Sequence, residues 1–369
     1  MAQFELSMQG GRSPDNCGSA ACGHSRRAFL KMAALGACAS LSTRPTLAEE
    51  VGTSVAPRRI DVHHHCYPTE WFARRRKEIL ASSDNNPSIM TEWSPAKALA
   101  QMDRYDIASS VVSIGNPGVW FGDVQEGRDL SRSANDWMAR MAADHPGRFG
   151  VFAVIPLPDV EGSLKEIEYA FDVLKVDGIH LLTSYGDKWP GDPAFAPVFD
   201  ELDRRRAVVF VHPTVADCCA TLQPNVSVSI GEYPFDETRA IMSVLYNGTL
   251  TRCPNIRFIF THAGGPMPVL AARMEQQLRH PEIAARLPNG AAVELKKLYF
   301  DVANSTVNKA AMAALTTFIP QSQIMFGSDF PYIPIEKTVN GFAGLGYSQD
   351  LLTSINRGNA LKLFPRLAG

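Results

Sequence analysis

From Arg59 onward the chain alternates between two kinds of pattern. Runs that are apolar nearly throughout, rich in Val, Ile and Phe, occupy residues 59–65, 108–114, 149–155, 178–183, 207–212, 256–262, 298–303 and 323–327. Short runs of that composition are what strands buried on both faces require. Between them lie segments of helical period: 94–105, 129–144, 160–174, 195–206, 236–252, 268–279, 308–318 and 348–356. The first opens with Ser94 at the N-cap and Pro95 at the first helical position, both favoured at a helix start. Linking turns carry Gly, Pro and Asp, as in Pro146-Gly147 and Asp177-Gly178.

Eight strand–helix units in succession predict an α/β fold, the (β/α)8 TIM barrel. A doubly wound open sheet would place Gly-x-Gly-x-x-Gly after the first strand, and here that strand ends in His63-His64-His65 instead. Two of the strand-to-helix connections, 67–93 and 213–234, exceed about 12 residues, the length at which loops commonly act as lids or binding segments.

Composition narrows the class of protein. The 369 residues are 45% hydrophobic and 20% charged, with a formal net charge of −2. That is an ordinary globular balance, and it argues against nucleic acid as the main partner. No apolar run after residue 50 is long enough to span a bilayer.

The first 57 residues read separately. Ser25-Arg26-Arg27-Ala28-Phe29-Leu30-Lys31, followed by an apolar run over 32–41, resembles a twin-arginine export signal. Thr46-Leu47-Ala48 supplies a small-residue cleavage site. The expectation is therefore a signal and linker over 1–57, a catalytic domain over 58–369, and a periplasmic or extracellular location. Two alternatives stand beside it. Leu35-Gly36-Ala37-Cys38 reads as a lipobox, which would anchor the protein to lipid through Cys38, and the whole stretch 25–41 would also suit an amphipathic helix with a basic end. Cys66, Cys218, Cys219 and Cys253 fit no zinc-knuckle or disulfide spacing. They are expected as free thiols filling small spaces, with Cys66 close enough to the histidine strand to adjoin a metal.

The candidate chemistry lies at the strand ends. Side chains two apart in a strand share a face, so His63 and His65 project together and His64 points away. Two adjacent imidazoles form half of a metal site, which needs about three or four ligands. The fifth strand ends at His212, the sixth at His262, and Asp329 follows the eighth. In a barrel these ends meet at the face where active sites lie, and together they predict a metal site.

The motifs Ile-Asp-x-His-x-His, Val-x-Val-His-Pro, Phe-x-His-Ala-Gly-Gly and Phe-Gly-Ser-Asp-Phe-Pro resemble the amidohydrolase superfamily over about 58–364. Within it the chain looks most like the 6-methylsalicylate decarboxylase-like and aminocarboxymuconate-semialdehyde decarboxylase-like proteins. The resemblance implies one divalent ion, Zn2+ or Mn2+, held by His63, His65, His212 and Asp329, with His262 as the catalytic histidine beside it. Two-metal relatives carry a bridging lysine at the end of the fourth strand. Here that strand has none, and His180 within it reads as a hydrogen-bonded interior histidine.

Two activities suit such a site. The family resemblance implies a carboxy-lyase that removes CO2 non-oxidatively from a small aromatic or unsaturated acid, with Asp329 carrying the proton. The alternative is a hydrolase of an ester, lactone or amide, in which the ion activates water. A barrel that binds metal without catalysis would need a broken ligand set, and none is visible. Trp93, Trp120, Phe121 and Phe330 are candidate contacts for a flat acid, and Arg239 is a candidate for its carboxylate. Some decarboxylases of this branch are dimers in which one subunit completes the other's site. A homodimer is thus an expectation, although the sequence names no interface.

Overall fold

The computed structural model describes residues 58–82, 86–219 and 225–368. The stretch read as an export signal, its expected cleavage site and Cys38 lie outside the described residues. Eight strands form the barrel: β1 (Arg59–His65), β2 (Ile107–Ser113), β3 (Phe149–Val154), β4 (Gly178–Leu182), β5 (Val208–His212), β6 (Arg257–Phe260), β7 (Tyr299–Asp301) and β8 (Ile324–Met325). They run parallel in sequence order. The β1–β8 seam is closed by Val62 N–H to the Phe326 carbonyl (3.0 Å), Asp329 N–H to that of His63 (2.8 Å) and His65 N–H to that of Phe330 (2.7 Å).

The eight expected strands are present, but the last three are shorter than their apolar runs. The chain leaves them early to build the mouth. His262 (φ 48°), Ala263 (φ 60°), Asn304 (φ 63°) and Asp329 (φ 61°) adopt left-handed backbone there, a conformation that costs non-glycine residues energy and clusters at functional sites. The helix expected from Asp129 begins at Val124, because the Asp123 side chain caps it by accepting from Glu126 N–H at 2.7 Å. The long connection 67–93 is not an open loop. It carries helices Thr69–Arg74, Arg76–Ala81 and Ser88–Thr91, and the buried Trp71 indole anchors it by donating to the Gly118 carbonyl at 2.8 Å.

Ile60, Val62, Phe152, Phe210 and Met325 fill the barrel. The rings of Phe152 and Phe210 stack at 4.9 Å. Below them the C-terminal segment plugs the barrel with Ala360, Phe364 and Leu367, Phe364 meeting Phe152 edge-on at 5.7 Å. His180, on β4, is interior as expected but not hydrogen-bonded, since neither ring nitrogen has a partner among the described residues. Its neighbours are the rings of Phe210 and His212. Burial, with His65 and His63 nearby, takes its pKa down to about 3, so the imidazole is neutral.

Phe364→Ala is expected to destabilise the fold by about 3–5 kcal/mol, the usual cost of emptying a buried aromatic site. Denaturant unfolding measures the loss, and metal content of the folded fraction should not change, since Phe364 lies at the end of the barrel opposite the histidines.

Candidate metal centre

Four side chains from three segments converge at the barrel mouth. His63 Nε2 and His65 Nε2 are 3.1 Å apart. Asp329 Oδ1 lies 3.4 Å from the first and 3.2 Å from the second. The His212 ring is centred 5.3 Å from that of His63 and 4.8 Å from that of His65. One donor atom from each of His63, His65, His212 and Asp329 lies within 4.8 Å of the others, and all four residues are buried.

The ring orientations are set from behind. His63 Nδ1 donates to Asp301 Oδ2 at 3.0 Å, and His212 Nδ1 donates to the Pro213 carbonyl at 2.9 Å. Each bond leaves Nε2 as a lone pair facing the centre, the usual support for a metal-binding histidine. Burial pulls His65 down to about 4 and His212 well below its ordinary value, so both are neutral, as ligands must be. Burial acts on His63 as well, but Asp301 and Asp329 outweigh it and raise the pKa to about 8, so an ion binding at neutral pH would displace a proton from its Nε2 to free that lone pair. Burial would likewise raise Asp329, yet His63, His262 and His65 hold its carboxyl well below the usual range. Three imidazole lone pairs and one anionic oxygen, packed this closely and shielded from water, fit a single divalent ion.

Asp61 ties the seam beside this cluster. It accepts from His63 N–H (3.1 Å), Ser328 N–H (2.9 Å) and Ser328 Oγ (2.6 Å), and from His64 Nδ1 (3.1 Å). His64 therefore faces away from the cluster and braces Asp61, with its ring against Phe330 at 5.0 Å. Gly115 passes so close that a Cβ there would come within 3.3 Å of His65 Nδ1 and 2.9 Å of the Tyr332 hydroxyl.

The second oxygen of Asp329 faces a different pair. Oδ2 lies 3.3 Å from His262 Nε2 and 3.4 Å from Asn304 Nδ2. His262 is outside the four-donor cluster, and its backbone N–H donates to Asp301 Oδ1 at 3.1 Å. Asp301 thus serves both a cluster histidine and the histidine beside it. Sequence reading passed over Asp301 and Asn304. The available signal was an aspartate inside an apolar strand, Tyr299-Phe300-Asp301, at the same barrel face. Gly264 and Gly265 serve the turn after β6. Both have positive φ, and a Cβ on them would strike the Phe300 ring and the Pro234 carbonyl.

A cavity of about 650 Å³ opens over the cluster, with His212, His262 and Asp329 in its wall beside Asn116, Tyr233 and Tyr332. The five residues read as substrate contacts are placed elsewhere, outside that wall. Trp93 packs against Tyr67 and Trp137. Trp120 covers Gly127, Phe121 lies under the Arg75 guanidinium at 4.4 Å, and Phe330 covers His64. Arg239 is held near Glu232 (3.5 Å) and Asp236 (3.6 Å). Strand order put these residues at the correct face, but their neighbours turned the side chains into the packing behind it. The four cysteines among the described residues are free; Cys66, Cys219 and Cys253 are buried, while Cys218 is exposed and fills no interior space.

A (β/α)8 barrel with a buried three-histidine, one-aspartate cluster at its mouth defines a mononuclear metal-site scaffold. The chain belongs to the amidohydrolase family, whose model matches residues 60–366. It is 33% identical to the 6-methylsalicylic acid decarboxylase of Penicillium expansum, over 84% of this chain and 97% of that protein. A crystal structure of an amidohydrolase II superposes with a TM-score of 0.75 at 26% identity, covering 83% of this chain and 99% of the other. A dihydroxybenzoic acid decarboxylase from Polaromonas, solved with bound manganese and the inhibitor 2-nitroresorcinol, superposes with a TM-score of 0.73 at 18% identity, covering 83% and 96%.

His63→Ala or Asp329→Ala should abolish metal retention through gel filtration, measured by elemental analysis. Asp301→Asn should weaken ion affinity by about 10–100-fold, the usual effect of removing such a supporting partner. His64→Ala should keep metal content near one per chain.

Proposed function

We propose that this protein is a metal-dependent carboxy-lyase that releases CO2 non-oxidatively from an aromatic monocarboxylic acid. The observation that carries the reading is the division of Asp329: one oxygen faces the histidine cluster and the other faces His262 inside a largely apolar cavity. His63, His65, His212 and Asp329 would hold the ion, and its charge would fix the substrate carboxylate and a neighbouring oxygen. Three imidazoles favour Zn2+ and the carboxylate suits Mn2+; the manganese in the Polaromonas enzyme supports the second.

The remaining steps belong to the chain. The cavity wall offers the apolar side chains of Ile89 and Ile333 to the ring. Asp329 Oδ2, anionic at rest, takes a proton from His262 Nε2 and passes it to the ring carbon that bears the carboxylate. Breaking the carbon–carboxylate bond then returns its electron pair to the ring and restores aromaticity as CO2 departs. His262 Nε2, in reach of Oδ2, resupplies the proton from solvent. Asn304 Nδ2 holds the same oxygen in place. The similarity to a 6-methylsalicylic acid decarboxylase supports a hydroxybenzoic acid as the substrate class.

His262→Asn should retain about one ion per chain while turnover falls by about 10²-fold or more, the scale of a positioned acid or base. CO2 release from a panel of hydroxybenzoic acids is the assay, with esters and lactones run in parallel. Hydrolysis of the latter without CO2 from any acid would overturn the reading.

Export through the twin-arginine route forms part of the same proposal, supported by Ser25-Arg26-Arg27 and the apolar run behind it. Changing Arg26→Lys and Arg27→Lys together should leave unprocessed protein in the cytoplasm, seen by fractionation. Should Cys38 carry a lipid, Cys38→Ala will move the exported form from the membrane to the soluble fraction.

A further inference from the structure

The cavity over the metal cluster is larger than a one-ring acid requires, and the surplus is apolar. Its volume of about 650 Å³ lies in the range that takes drug-sized ligands. One wall is built by two neighbouring helices, Met267–Glu275 and Lys309–Phe318. The first presents Pro268 and Val269, the second Ala310, Ala311 and Ala314. A second groove lies beside it on the same two helices: it shares Pro268, Val269 and Ala314 with the cavity and runs past Ala271, Ala272 and Phe318, with Glu275 and Thr317 also in its lining.

Charge points the same way. Among the described residues lining cavity and groove there is no Lys or Arg. A second carboxylate on the substrate would have no cationic side chain to meet there, and burying it unpaired would be costly. Hydrocarbon would meet alanine, valine and proline. Val269, at the junction of cavity and groove, leaves 67% of its surface exposed, a large apolar side chain for which a substrate tail would provide cover.

We infer that the substrate is a hydroxybenzoic acid bearing an apolar substituent of several carbons, whose tail lies between these two helices while its carboxylate sits at the metal cluster. This rests on the carboxy-lyase reading and deepens it. The groove is assigned to the tail because it adjoins the catalytic cavity and shares Pro268, Val269 and Ala314 with it; a second copy of the chain is the competing occupant.

The test uses the metal-loaded protein and 2-hydroxybenzoic acids carrying hydrogen, methyl, propyl or pentyl at the 6-position. kcat/KM should rise with chain length by roughly four-fold per buried methylene, mostly through KM. In calorimetry 3-pentylphenol should bind at least ten-fold more tightly than 3-methylphenol. Ala314→Phe, which fills the junction, should lower the pentyl-to-methyl ratio of kcat/KM ten-fold or more. Val269→Asp, at an exposed helix position, should do the same by placing a charge there.

A flat or falling series in the unaltered protein would overturn the inference, as would an unchanged ratio in both variants. A flat series together with a dimer that Val269→Asp converts to a monomer would assign the groove to a subunit interface instead. CO2 from the methyl acid with a flat series leaves the carboxy-lyase reading standing and removes the tail site. Tighter binding of 3-pentylphenol without CO2 from any acid does the reverse.

Discussion

The seam between β1 and β8 is the joint on which the site depends, and the Asp61 carboxylate closes it. Two backbone amides, one hydroxyl and one imidazole donate to it, from residues 267 positions apart in the chain at the widest. Hydrogen bonds to a charged acceptor contribute about 1.5–3 kcal/mol each, and a donor left unmet in a dry interior costs a similar amount. The seam therefore has one low-energy register. In that register His63 and His65 face inward, Ser328 is fixed, and Asp329 follows at a positive φ with its carboxylate against the two imidazoles.

Placing Asp329 in this way gives its two oxygens different neighbours. Oδ1 belongs to the histidine cluster and Oδ2 to His262 and Asn304. A carboxylate with one oxygen committed to positive charge and the other open to a proton donor can handle a proton without leaving its position. Asp301 stands behind both halves, orienting His63 through Oδ2 and the backbone of His262 through Oδ1. The chemistry is therefore distributed over the ends of β1, β5, β7 and β8 and the turn after β6. It depends on the barrel's register more than on any local motif.

The fold was legible because the barrel has a strong local signal. Strands buried on both faces must be apolar throughout, and helices covering them must be amphipathic, so each element declares itself within its own residues. Ser94 and Pro95 mark a helix start by their own chemistry, and the structure has the helix begin there. Asp123 was missed as a cap because the apolar period of its helix begins several residues later. His63, His65, His212 and Asp329 could be read because strand ends in a parallel barrel converge by topology alone, whatever the packing.

The sequence by itself determined the elements, their order, and which residues stand at the catalytic face. It could not determine which side chains at that face turn toward the cavity. Trp93, Phe121 and Phe330 occupy connecting segments whose geometry is set by the distant partners Trp137, Arg75 and His64 respectively, while Trp120 packs at Gly127 and Arg239 lies mid-helix beside Glu232. A rotamer responds to whatever fills the space around it, and that space is made by segments remote in sequence. The same holds for Asp301 and Asn304, whose roles exist only because β1 and β8 close beside them. Strand position is fixed by short-range periodicity, whereas side-chain direction in a loop is fixed by long-range contact, and only the folded chain contains the second.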